Sequence, residues 1–256
     1  MSLFSLEGRV AVVTGGLGQV GAEIARGLRE HGARVAVFDI AADDGDDSFR
    51  VDVTDRAAIE SATEELERRW DVPHVLVNGA ALDSPPDAPA DEDGPFEDYP
   101  TESFDDVMAV NVKGTLLCCQ VIGARMAAAG RGSIVNVSSI YGMLSPVQDV
   151  YEFRRRDGET FFKPVAYAVS KSALYNLTRY LATYWARSGV RVNTLTLAGV
   201  WNDQPQEFLD EYTARMPLGR MANAEEVVGP VVFLASDASS YVTGANLVAD
   251  GGWSAW

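Results

Sequence analysis

Short apolar runs of strand length alternate along this chain with longer stretches whose apolar residues recur at helical spacing, and that alternation leaves few folds open. The strand-like runs are Arg9 to Thr14, Arg34 to Phe38, Phe49 to Val51, Val75 to Val77, Ser133 to Val137, Val190 to Leu195 and Asn246 to Val248. Helical patterns lie between most of them, at Ala57 to Trp70, Ser103 to Ala129, Ala166 to Arg187 and Ala224 to Leu234. Strands separated by helices of this length build a mainly parallel sheet covered on both faces, with right-handed crossovers. The expectation is an α/β fold: a doubly wound, seven-stranded sheet in a single domain over residues 1–256. Two stretches break the rhythm and read as loop insertions, at 83–99 and 147–164. The first is acidic and proline-rich, the mark of a solvated loop; the second mixes aromatics with both charge signs.

A chain of 256 residues that is 47% hydrophobic can fill a sizeable core. Its 37 Asp and Glu against 21 Lys and Arg give a formal charge of -16, which opposes a broad nucleic-acid or membrane surface. The two cysteines, Cys118 and Cys119, are adjacent in an apolar helical stretch and read as buried thiols in a reducing compartment. The N-terminus carries no basic segment followed by an export core, and no run reaches about 18 consecutive apolar residues. A soluble, cytoplasmic protein is expected. His31 and His74 are separated in the pattern, so no metal site is expected.

Two patterns carry chemistry. The first strand runs into Thr14-Gly15-Gly16-Leu17-Gly18-Gln19-Val20-Gly21 and then a helix, so Gly16, Gly18 and Gly21 supply GxGxxG in a strand-turn-helix context. Free N–H groups at such a helix start receive a pyrophosphate. Asp39 ends the next strand, 18 residues beyond Gly21, followed by Ile40. There a carboxylate binds both hydroxyls of an adenosine ribose and repels a 2'-phosphate, which favours NAD over NADP; the plainer role is an ordinary turn residue. Asp52 and Val53, after the third strand, have the geometry to meet the adenine, although Asp52 fits a cap equally well. The second pattern is Tyr167 and Lys171 in AYAVSK. At i and i+4 a phenol and an ammonium face one side of a helix, where the cation lowers the phenol pKa and makes the tyrosine an acid or base near neutrality.

These motifs together make the chain resemble the short-chain dehydrogenase/reductase family, from about Leu6 to the Asp250-Gly251-Gly252 sequence. The resemblance implies a Rossmann-like fold, a nicotinamide cofactor and hydride transfer between it and an alcohol or ketone. It assigns TGGLGQVG to the cofactor loop, Asn78-Gly79-Ala80-Ala81 to the stretch after the fourth strand, and Asn111 in VNVKG to the family's structural and catalytic asparagine. Ser139 in IVNVSS takes the place of the catalytic serine, Tyr167 of the tyrosine and Lys171 of the lysine. By the same resemblance Ser139 stabilises the substrate oxygen, Tyr167 exchanges its proton, and Lys171 holds the nicotinamide ribose in a relay towards the Asn111 region. Three departures stand out. Gln19 replaces a glycine of the usual TGxxxGxG, closer to the TGxxGxxG of extended members. Gly79 and Ala81 replace an asparagine and a glycine. Leu197 and Ala198, with Val200 and Asn202 after them, stand where Pro-Gly and a threonine near the carboxamide are usual; Asn202 offers an amide the same groups.

Substrate contacts are expected from the second insertion and from the stretch after the sixth strand. Ser139 and Tyr167 are 28 positions apart, a longer spacing than is usual in the family. Tyr141, Tyr151, Glu152, Arg154 and Phe162 fall between them, and Trp201 and Gln204 follow the sixth strand. Aromatic platforms beside polar groups suit a sugar, polyol or sugar derivative, although the same aromatics suit a lid core. The insertion also resembles that of members linked to carbohydrate or surface-polysaccharide metabolism. An apolar ketone, steroid or acyl substrate is the alternative, and a non-catalytic dinucleotide-binding protein the second class. The resemblance implies a homotetramer, with the apolar long helices and the GGWSAW terminus as candidate contact surfaces.

Overall fold

The computed structural model describes residues 2–83, 94–156, 158 and 160–256. Seven parallel strands form one sheet of order β3-β2-β1-β4-β5-β6-β7. They are β1 Val10–Thr14, β2 Arg34–Asp39, β3 Ser48–Arg50, β4 Val75–Asn78, β5 Gly132–Ser139, β6 Val190–Leu197 and β7 Asn246–Ala249. β1 and β4 are buried along their whole length, which is why their sequences run apolar without alternation. The chain leaves β1 to one side for β2 and β3 and returns to the other for β4, so the order reverses between β1 and β4. In such sheets the crevice beyond the strand ends at that reversal is where ligands bind.

Of six longer helices, α1 Gln19–Glu30, α2 Arg56–Arg69, α3 Thr101–Ala128, α4 Val165–Trp185, α5 Gln206–Thr213 and α6 Val228–Ala235, all but α5 cover the faces of the sheet. α1 and α6 bury Ile24, Leu28, Val231 and Val232 on one face. On the other, α2, α3 and α4 bury Ile59, Leu66, Ile122, Leu181 and Trp185. Each such side chain contributes about 1.5–3 kcal/mol by leaving water. Asp55 starts α2 by accepting hydrogen bonds from the Ala57 and Ala58 N–H groups. α3 is long and apolar enough to cross a membrane, with a mean hydropathy of 1.5 in its most apolar window. Here its apolar side, with Leu117, Cys118, Val121, Ile122 and Met126, packs into the core instead. It widens into π-helical turns at Ala109–Gly114 and Cys119–Gly123, a local geometry frequent at functional sites.

A third apolar cluster lies beyond the carboxyl ends of the strands. Tyr141, Tyr151, Phe161, Phe208, Tyr212 and Trp253 form it, with Tyr151 4.9 Å from Phe161 and Tyr212 4.5 Å from Trp253 between ring centroids. The stretch 147–164 is therefore not a plain loop. It contains a helical turn at Gln148–Tyr151 and the short helix Glu152–Arg156, and it sends Tyr151 and Phe161 into this cluster. Trp253 folds back onto its own chain at 6% exposure, whereas Trp256 is 83% exposed. Most of the acidic stretch 83–99 lies outside the described residues; from 94 a turn at Phe96–Asp98 leads into α3.

Candidate active site

The glycine turn is built by contacts that leave no room for side chains. Gly15 adopts φ +67°, and a Cβ there would stand 2.7 Å from the Ala80 Cα. At Gly21 a Cβ would come 2.0 Å from the Gly15 carbonyl oxygen. Gly18 precedes α1 and supplies no side-chain cap, so the first N–H groups of that helix face the cleft. Thr14 is buried and serves the frame: its hydroxyl accepts from the Gly79 and Ala80 N–H groups at 3.1 and 3.2 Å. Asn78 is likewise buried and donates to Asn136 at 2.8 Å. Gly16 is buried against Val37. Neither Thr14, Asn78 nor Gly16 lines the cleft, in contrast to Leu17, Gln19, Val20, Gly79 and Ala80, which do.

Asp39 reaches this cleft from the end of β2. One carboxylate oxygen accepts from the Leu17 N–H and the other from the Ala41 N–H, each at 3.0 Å. Among the described lining residues there is no Lys or Arg; Ile40, Ala41, Asp52 and Val53 complete that end. Asp52 is engaged as a turn cap, its Oδ1 accepting from the Thr54 N–H and hydroxyl at 2.8 Å. The cleft fits a dinucleotide: a close-packed glycine turn and an uncapped helix start for the diphosphate, and a carboxylate for the ribose.

A second cavity of roughly 290 Å³ opens beside it, at the ends of β5 and β6, and takes Ser139, Tyr167 and Lys171 into one wall. Ser139 is the last residue of β5, where its Oγ accepts from the Tyr141 N–H at 3.2 Å. α4 carries Tyr167 and Lys171 in successive turns, with the Lys171 Nζ 5.7 Å from the Tyr167 ring centroid. That ammonium donates to the Val137 carbonyl at 3.0 Å, while the Ser138 hydroxyl donates to the Lys171 carbonyl, also at 3.0 Å. The helix and the strand end are thereby held in register.

The expected lowering of the Tyr167 phenol pKa by Lys171 is not found in this state. Burial raises it well above the ordinary value, the Asp83 charge adds to that, and a hydrogen bond with Ser139 opposes both. The Lys171 ammonium is bonded to the Val137 carbonyl. Burial pushes Lys171 itself down to about 8, against the pull of Asp83.

Asn111 sits in the first π-helical turn, 1% exposed. Its side chain clamps the Leu82 backbone, accepting from the N–H at 2.7 Å and donating to the carbonyl at 3.0 Å, and donates to the Ser170 hydroxyl at 2.9 Å. It thus fastens the chain after β4 to α4, and it does not line the cavity.

Of the expected substrate contacts, Tyr141, Tyr151 and Gln204 line the cavity with Ser139 and Tyr167; Ala198 and Val200, expected at the cofactor, border it as well. Glu152, Arg154, Phe162 and Trp201 do not. Glu152 pairs with Arg155 at 2.9 Å, and Arg154 lies 4.3 Å over the Phe161 ring. Phe162 turns into a neighbouring groove. Trp201 keeps its ring half-exposed; its carbonyl accepts from the Gln19 amide at 2.6 Å and its N–H donates to the Ala222 carbonyl at 2.9 Å. Asn202 is exposed, its N–H bonded to Gln204, and it lines neither cavity.

Sequence reasoning passed over Tyr175, Tyr212, Asp83 and Lys163. Tyr175 donates to the Ser139 carbonyl at 3.1 Å; as the next member of the stripe 167, 171, 175 it was within reach of the same spacing argument. The Tyr212 hydroxyl accepts from the Gly199 N–H at 2.8 Å, which no sequence pattern signals. Among the described residues no cluster of three metal-ligating side chains occurs.

Fold and site together define a nicotinamide-dependent oxidoreductase of the α/β class. Residues 17–254 match the family described as enoyl-(acyl carrier protein) reductase. The D-threitol dehydrogenase of Mycolicibacterium smegmatis is 32% identical, over 98% of this chain and 94% of that protein. The chain belongs to the short-chain dehydrogenase/reductase family. A short-chain dehydrogenase of Leptospira borgpetersenii solved with NAD+ superposes with a TM-score of 0.85 at 32% identity, over 98% of this chain and 94% of that one. A gluconate 5-dehydrogenase of Burkholderia cenocepacia solved with NADP and tartrate gives 0.83 at 28% identity, over 99% and 98%.

Proposed function

We propose that this chain is an NAD(H)-dependent oxidoreductase of a secondary alcohol, or its ketone, on a polyol, sugar or sugar derivative. The observation that carries this reading is the meeting of Ser139, Tyr167 and Lys171 in one cavity that adjoins the Asp39 cleft. The glycine turn, Asp39, Val53 and the stretch after β4 would hold the dinucleotide; bound there, its nicotinamide supplies the hydride donor or acceptor. Ser139 donates to the substrate oxygen and stabilises the charge it develops. Tyr167 exchanges the proton of that oxygen; in the state described its raised pKa keeps it a phenol, ready to protonate a carbonyl oxygen. Lys171, near a pKa of about 8, can both carry charge and exchange a proton at neutral pH. Asn111 keeps α4 in place through Ser170 and acts as a positioning residue.

NAD preference rests on Asp39 and on the lack of Lys or Arg among the described residues of the cleft. Tyr141, Tyr151, Tyr212 and Gln204 around the cavity support a hydroxyl-rich substrate, and the D-threitol relative points the same way. The spacing of Ser139 and Tyr167 reads as an insertion whose part is to roof this cavity. Assembly as a homotetramer in the cytoplasm belongs to the same proposal: Tyr180 and Tyr184 are more than 60% exposed on α4 and stack at 6.0 Å, an apolar face suited to a second copy. Initial rates with NAD+ and NADP+ over polyols, sugar acids and apolar alcohols test the reading. Equal or better kcat/KM with NADP+ refutes the cofactor preference, and selective turnover of apolar alcohols refutes the substrate class.

A further inference from the structure

A second lysine stands beside the reacting tyrosine. Lys163 lies four residues before Tyr167, as Lys171 lies four after it, and its Nζ is 5.2 Å from the Tyr167 ring centroid. Pro164 separates it from the helix, so no helical spacing signals it. Its side chain is 4% exposed, yet it borders the cavity that holds Ser139 and Tyr167. Burying an ammonium is costly without a counter-charge. Asp83 provides one at 2.6 Å, from the chain after β4.

Both partners are held by the frame of the site. Gln148 grips the Lys163 backbone, its Oε1 accepting from the N–H at 2.9 Å and its Nε2 donating to the carbonyl at 3.3 Å. Asp83 follows Leu82, whose backbone is clamped by Asn111. The pair is lopsided: the ammonium is enclosed, while the carboxylate side chain is 48% exposed and also borders the cavity. A pair that served only to staple two loops would have no need to border the chamber of the reacting groups.

We infer that Asp83 and Lys163 form a specificity-determining clamp that recognises a hydroxyl neighbouring the reacting carbon, with the Lys163 ammonium donating to its oxygen and the Asp83 carboxylate accepting its proton. This rests on the polyol reading above and deepens it. A fixed charge pair beside the Ser139–Tyr167 wall brings a donor group and an acceptor group to the side of a vicinal diol, whereas a monohydroxy alcohol brings no second hydroxyl to meet them. Sites built to hydrogen-bond a hydroxyl discriminate against analogues that lack it, because their polar groups are then left poorly paired. No bond is made or broken at the clamp, so its effect belongs in KM and in selectivity.

The test compares kcat/KM for polyols (threitol and galactitol) with that for monohydroxy secondary alcohols (2-butanol and cyclohexanol), using the full chain with saturating NAD+. Asp83→Asn and Lys163→Gln should each lower the polyol-to-monohydroxy ratio by about tenfold or more, through KM rather than kcat. A change in the electrostatics of Tyr167 would move both substrate sets together and cancel in that ratio. If Lys163→Gln fails to fold, Asp83→Asn decides alone, since its carboxylate is half-exposed and the amide is nearly isosteric. Wild-type turnover of polyols with a ratio that holds within about twofold in the folded variants overturns the clamp only. A wild type idle on the polyols overturns the substrate reading and the clamp with it.

Discussion

Replacing Lys171 with Met should abolish turnover and yet relieve a penalty on stability that depends on pH in a calculable way. The ammonium is 4% exposed and its pKa falls from an ordinary 10.5 to about 8 on folding, with burial as the leading cause. A base depressed in the folded state is held less tightly protonated there than in the unfolded chain, so between those two values the unfolded state binds more protons and stability rises with pH. Below about pH 8 the penalty is at its full size, roughly 3 kcal/mol, because a tenfold change in proton affinity is worth about 1.4 kcal/mol. By about pH 9.5 it shrinks by about 2 kcal/mol. Met also deprives the Val137 carbonyl of its donor, a cost of about 1–3 kcal/mol that does not vary with pH. The diagnostic is therefore the slope rather than the sign at any one pH. Urea unfolding of both chains at about pH 6 and about pH 9.5 should show wild-type stability gaining about 2 kcal/mol on the variant. The raised tyrosines that lie away from Lys171 titrate alike in both chains and cancel. A wild-type-minus-variant difference that is flat across this range would refute the reasoning.

Tyr167→Phe should keep the fold and dinucleotide affinity while lowering kcat by at least about 10²-fold, because the proton is lost and the ring retained; near-normal turnover would remove the assigned role. Asp39→Ser should shift the NADP-to-NAD ratio of kcat/KM upward by about tenfold or more, since the carboxylate's repulsion of a 2'-phosphate disappears; parallel kinetics with both cofactors show it. Gly21→Ala places a methyl 2.0 Å from the Gly15 carbonyl and should both weaken dinucleotide binding and destabilise the chain by about 1–3 kcal/mol, read by titration and by urea unfolding. In solution at micromolar concentration the protein should have the mass of a tetramer, and a mainly monomeric result would count against that assembly.

The inner strands were legible because burial on both faces leaves an unmistakable apolar run, and the shorter, partly exposed edge strands β3 and β7 also fell on the expected runs. The glycine turn, Asp39, Ser139, Tyr167 and Lys171 were legible because each is tied to a strand end or a helix spacing. Legibility stopped where neighbours in space are remote in sequence. Arg154 and Glu152 looked like ligand-binding polar groups, but local partners, the Phe161 ring and Arg155, occupy them first. The direction of the Tyr167 pKa in this state was out of reach for a related reason. The i,i+4 rule brings an ammonium near, but it does not say that the ammonium bonds to a strand carbonyl while burial governs the phenol. Asp83 and Lys163 are 80 residues apart, and no period or motif connects them.

The aromatic cluster beyond the strand ends gives the molecule two layers with different freedoms. Tyr151, Phe161, Phe208, Tyr212 and Trp253 pack on one another, apart from the two cores that flank the sheet. Ser139, Tyr167 and Lys171 are carried by β5 and α4, and of the three only Tyr167 packs against the cluster. A change of size in a roof side chain is therefore taken up first by its ring neighbours, while the backbone positions of the reacting groups are set by β5 and α4. Such a lineage can try new substrate shapes by small substitutions in the roof while its chemistry is inherited intact.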